Sequence, residues 1–162
     1  MPIGSPVDLR WLETTEIAEV GAFQKGWYRL SIVKFKEPEV SKNGFLNMLP
    51  AQLKIETEEG GYAGETVFHR FSWPTAEGLE EGGYSNSTRR MWLDDMRAFL
   101  GVAFPKKLPA LSAVDFDALE GLELYAFLAP GKEYQSQIRP EVQPRRWAAE
   151  LPEGVDEGPQ TA

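Results

Sequence analysis

The chain has no cysteine and one histidine, His69. No disulfide framework can form, and a Cys/His zinc site cannot be assembled. No apolar run approaches the ~18 residues of a membrane span, and no basic segment leads into an apolar stretch at the N-terminus. The expectation is a soluble, cytoplasmic protein without a membrane partner. Nucleotide-binding loops of the Gly-x4-Gly-Lys-Ser/Thr or Gly-x-Gly-x-x-Gly kind are absent, as is a Gly-x-Ser-x-Gly elbow. Asp94 and Asp95 are adjacent and diverge by about 100° on a helix, so they do not form a two-metal carboxylate cluster. No enzyme is expected, and no cofactor or metal.

Charge of positive sign is also scarce, but unevenly so. The 162 residues carry −8 in total. Residues 1–24 hold −3, residues 147–162 hold −4 without a single base, and the long middle is nearly neutral at −1. Bases are interleaved there with aromatics: Trp27 with Arg29, His69 with Arg70 and Phe71, Arg90 with Trp92.

Twelve prolines and 15 glycines favour short strands over long helices. Residues 26–36 alternate as a strand, with a bulge where the pattern blurs at Val33. Residues 45–56 form a second strand, in which Pro50 marks an edge or bulge because it cannot donate to a ladder. Residues 65–73 form a third, with Val67, His69, Phe71 and Trp73 on one side and Phe68 and Arg70 on the other. A Gly- and Glu-rich loop is predicted over 74–86 and a helix over 87–100, with Trp92, Met96, Phe99 and Leu100 on its apolar face. Strands follow at 121–129 and 132–139, turned by Pro130-Gly131. Three domains' worth of character emerge: an N-terminal arm (1–24), a barrel (25–140) and an acidic tail (141–162), with 148–162 disordered by composition. The arm reads either as a partial helical stripe or as a segment packed by Trp11 and Phe23.

Three strands, a helix and two strands is the order of the OB-fold, so the expected class is mainly β. It is a five-stranded OB-like Greek-key barrel with one helix between strands three and four. The motifs Gly26-x-Tyr28, Ser41-Lys42-Asn43-Gly44, Gly61-Tyr62-Ala63-Gly64 and Phe68-x-Arg70-Phe71 continue through Leu100-Gly101, Asp117-x-Leu119-x-Gly121 and Gly131-x-x-Tyr134. Over residues 25–140 this pattern resembles a phage-encoded family of unassigned function, found among replication and recombination genes and associated with single-stranded-DNA binding. The resemblance implies an accessory protein of phage replication or recombination in the host cytoplasm. The acidic tail is similar to those of single-stranded-DNA-binding proteins that recruit replication partners. It departs from them in ending Pro159-Gln160-Thr161-Ala162, without an aromatic tip.

Sequence-independent binding of a single strand needs cations along the phosphates and flat rings against the bases. The candidates are Trp27, Arg29, Lys34 and Lys36 on or after strand one, Arg70 and Trp73 on strand three, and Tyr125 and Phe127 on strand four. Lys132 and Arg139 flank the last hairpin. Arg145 and Arg146 beside Trp147 read as a phosphate clamp or as packing on the body. Glu37 and Glu39 oppose the reading. The alternative is a protein–protein module, a phage assembly or regulatory factor on the same barrel. The oligomeric state is open, a homodimer included.

Overall fold

The computed structural model describes residues 23–110, 113–134 and 137–160. The chain runs β1 (Gly26–Phe35), β2 (Glu39–Val40), β3 (Leu46–Ile55), β4 (Thr66–Pro74), α1 (Ala76–Glu81), α2 (Asn86–Ala103), a 3-10 turn (Phe116–Leu119), β5 (Glu123–Tyr134), β6 (Gln137–Ala148) and β7 (Gly158–Pro159). It is mainly β, a single antiparallel sheet. The long strands lie in the order β4-β3-β1-β5-β6, with β2 on the edge of β3 and β7 on the edge of β1.

Alternation sets which face of the sheet is buried. Tyr28, Leu30 and Ile32 of β1 point inward with Leu53 and Ile55 of β3, Val67 and Phe71 of β4, and Leu124, Ala126 and Leu128 of β5. The Val33 bulge is present: pairing with β3 slips between Ile32 and Lys34, so Ile32 and Phe35 both face the core. Pro50 sits inside β3, between two neighbours. Its carbonyl accepts from Lys36, at the point where β1 has ended and β2 has not begun, so its missing donor is not called on.

Among the described residues no ladder joins β4 to β6, so the closed five-stranded barrel is not what the hydrogen bonds make. α2 packs against both strands and fills the opening. Met96, Phe99 and Leu100 are its buried face, and Ser85 caps its start by accepting from Thr88 N–H. Phe99 meets Phe71 of β4 at 5.0 Å and Trp147 of β6 at 5.1 Å between ring centroids.

Three expectations are corrected. The 74–86 loop contains α1, capped by Thr75, whose hydroxyl accepts from Gly78 N–H. Gly78 presses on the backbone of Phe45, where a Cβ would lie 1.9 Å from the carbonyl oxygen, so the glycine that disguises the helix is what lets it dock. Pro130-Gly131 does not turn the chain: β5 runs through it to Tyr134, with a register slip. The boundary at 140 falls within β6, and the supposed disordered tail returns to pair with β1 through β7. Gln160 N–H donates to Lys25 C=O at 2.8 Å. Residues 1–22 lie outside the described residues; Phe23, at the end of the expected arm, is buried against Tyr28 and Tyr62.

Candidate nucleic-acid interface

The outer face of the sheet gathers most of the predicted site. On β4, Phe68 and Arg70 project outward because Val67 and Phe71 are drawn into the core. Across the ladder lie Gln52 opposite Phe68 and Lys34 opposite Gln52. Lys36, just past β1, holds its ammonium 5.7 Å from the centre of the Phe68 ring. Phe68 is 49% exposed, an unusual fate for a phenylalanine in a strand. Among the described residues, Lys34, Lys36 and Arg70 have no carboxylate partner. Lys54 does, at 3.3 Å from Glu56. A hydrogen bond from Ser31 holds the Glu56 carboxyl below its ordinary value, with Lys54 and the charge of Arg29 helping.

Further along β1 the same face becomes crowded. Arg29 stands opposite Tyr125, and Trp27 opposite Phe127. The two rings meet edge to face at 5.8 Å. Arg146 lays its guanidinium 3.8 Å from the Phe127 ring centre and 5.4 Å from that of Trp27. Phe127 keeps only 6% of its surface, so it is not a free stacking platform. Arg146 therefore packs on the body, whereas Arg145 is exposed and contributes only its backbone N–H. Arg29 is half-buried, and its Nε has no hydrogen-bond partner. Its backbone N–H donates to Thr57 Oγ1 at 2.8 Å, and Thr57 donates to Glu157 of the returning C-terminal segment at 3.3 Å. Glu157 also forms a backbone bridge with Trp27, so with its carboxylate on Thr57 one tail acid already sits beside this end of the face.

Two candidates fall elsewhere. Trp73 lies past the point where the β4 alternation breaks, and lines a cleft against α2. Arg139 is exposed on β6, which among the described residues no ladder joins to β4. Lys132 lies in β5, and its side chain is outside the described residues. Phe68 was missing from the candidate residues, although its period-2 partnership with Arg70 was visible in the sequence.

The opposite face of β4 carries a second polar cluster. His69 donates from Nε2 to Asp95 Oδ2 at 2.8 Å. Asp95 Oδ1 accepts from Trp147 Nε1 at 2.9 Å and from Arg145 N–H at 2.7 Å. The imidazole is flanked edge-on by Phe71 and Trp147. Burial is the strongest influence on Asp95 and opposes its charge. The His69 hydrogen bond and charge, with the Arg145 and Trp147 donors, together outweigh it and hold the carboxyl below its ordinary value. With three donors converging on one carboxylate, this cluster ties β4 and β6 to α2 and braces the β4–β6 opening. Among the described residues, no group of three or more His, Asp or Glu side chains could hold a metal ion, and no helix is long and apolar enough to cross a membrane.

Comparison with family models, with curated proteins and with solved structures finds no match for this chain.

Proposed function

We propose that the protein binds single-stranded DNA without sequence preference, as an accessory factor of phage replication or recombination, across the outer face of an OB-like barrel. The strand pairings support the barrel reading. A β1-β3-β4 meander, with β5 on the free side of β1 and β6 beyond it, is the OB-fold order with one seam left unladdered. α2, between the third and fourth long strands, fills that seam.

The observation that carries the proposal is the exposed Phe68 ring with Lys36 over it and the unpaired Lys34 and Arg70 around it. A ring held open to solvent on a rigid strand stacks any base, and the three cations follow the phosphates on either side. Tyr125, half-buried beside Arg29, extends the path across the sheet. The Glu157 carboxylate limits the path at its Trp27 end. A homodimer would lengthen the track, and tail-borne recruitment of replication proteins would have to use residues outside the β7 pairing.

Fluorescence anisotropy of a labelled oligodeoxythymidine of about 30 nucleotides, longer than one OB-fold footprint, tests the reading. Single-strand binding with a log–log salt slope of roughly −2, from three phosphate contacts, is the expected result. Little binding to a duplex of equal length should accompany it. Absence of binding at low salt overturns it and favours the protein–protein module, for which the apolar cleft at Trp73 is the supporting observation.

A further inference from the structure

The cleft between β4, α1, α2 and the 3-10 turn has a volume of about 490 Å³. Its walls include Trp73, Leu79, Trp92, Leu93 and Phe116, with Arg89 as the one charged side chain among the described residues that line it. Trp73, Leu79 and Leu93 are all exposed, Leu79 to 56%. Three large apolar side chains around one hollow are more than the scattered surface leucine of an ordinary protein, and such a patch marks an occupied surface. Its polar contribution is too small to satisfy the hydrogen-bonding edge of a nucleobase. An apolar side chain is the ligand it suits.

We infer that the cleft is the seat of this chain's own N-terminal arm, with Trp11 and Leu12 as the inserted side chains. Three observations on the molecule select them. The first is reach. Phe116 lies 5.1 Å from Phe35, ring centre to ring centre, so the cleft stands at the far end of β1 from Gly26. Ten strand residues make that about 30 Å. The arm joins the body at Phe23, which is buried against Tyr28 and Tyr62 at the near end. Trp11 and Leu12 precede Phe23 by twelve and eleven residues, which extended chain converts to ~36–43 Å. Ile17 and Val20 precede it by six and three, at most ~22 Å, and fall short.

The second is charge. Charges of both signs adjoin the cleft in sequence: Arg89 lines it and Arg90 follows on α2, while Glu80 and Glu81 follow the lining Leu79 on α1. Arg10 is the only base in residues 1–24, and it stands beside Trp11 with Asp8 and Glu13 on either side. The run Asp8-Leu9-Arg10-Trp11-Leu12-Glu13 therefore brings apolar bulk and both charges together. The third is the first turn of α2, which holds Arg89 but no acidic residue. A cation there opposes the helix dipole, and an acid supplied by the arm offsets it. This inference does not depend on DNA binding.

The chain has no native cysteine, which makes proximity directly measurable. Full-length protein carrying Leu12→Cys with Leu93→Cys is treated with a short bis-maleimide and run on a denaturing gel. Leu93 is exposed, so its replacement leaves the core intact. The expected product is an internally crosslinked monomer that does not form when the reagent is added in urea. Ile17→Cys with Leu93→Cys should not crosslink. A second measurement is binding of an anilinonaphthalene dye, which should rise in full-length Trp11→Ala, Leu12→Ala as the cleft empties. No crosslink, or equal crosslinking from position 17, overturns the inference. So does a crosslink found only between two chains, which would assign the cleft to a second copy.

Discussion

Strand β4 shows two clusters built from the same residue types with opposite fates. Inward, His69 stands with Phe71, Trp147 and Asp95. Outward, Phe68 stands with Lys36 and Arg70. In the first, every charge has a partner and the rings pack on one another. In the second, the cations have no acid and the ring faces water. Aromatic and charged residues side by side do not by themselves mark a binding site. Whether their hydrogen bonds and ring faces are already used within the fold is what separates a brace from a platform.

The sharpest way to break that contrast is at the brace. Asp95→Ala leaves His69, Trp147 Nε1 and Arg145 N–H without their shared acceptor, and should cost about 3–5 kcal/mol in urea unfolding. Affinity for single strands, measured where the variant is folded, should hold. The same carboxyl predicts an acid limb. Its folded pKa lies below the ordinary 3.8, so the unfolded chain binds more protons between the two values. The contribution is complete above about pH 4 and is lost as pH falls through the folded value. Urea midpoints of the wild type should therefore fall more steeply below about pH 4 than those of Asp95→Asn.

The platform should behave the other way. Phe68→Ala should weaken single-strand binding by about 1–3 kcal/mol, or roughly 5- to 150-fold. Its urea midpoint should barely move, because the ring is exposed. Unchanged affinity would place the contact elsewhere. A smaller effect tests how the brace is fed. Arg145 holds a left-handed φ of 72° while its N–H reaches Asp95. Arg145→Gly keeps the donor and relieves the backbone, and should raise stability by about 1 kcal/mol. The smallest effect belongs to Glu157→Gln. Loss of the charged acceptor for Thr57 should cost under about 1 kcal/mol, with a modest gain in single-strand affinity at low salt.

Much of this was legible in the chain. Alternation over 26–35 and 66–71 placed Arg29, Phe68 and Arg70 outward and His69 inward, because period 2 fixes sides once one face is apolar. Alternation failed where geometry interrupts it. At Ser72-Trp73 burial stops alternating although the pairing with β3 continues unshifted, and Trp73 lines the cleft beside α2. Along β6 a run of four residues from Gln143 to Arg146 lies between the partners of Leu128 and Ala126, and no periodicity survives such a bulge. The same bulge swings Arg146 over Phe127 and removes that ring from solvent. β7 escaped notice because two residues in an acidic, Pro- and Gly-containing stretch carry no pattern, and only their partner in β1 defines them.

That last pairing has a practical consequence. With Gln160 bonded to Lys25, the sheet's first strand begins where its last one ends, and the body between residues 25 and 160 is nearly a ring. Joining Gln160 to Lys25 through a short linker and reopening the chain after Gly83, an exposed glycine with φ of 68° between α1 and α2, would give a circular permutant that keeps every described strand partner.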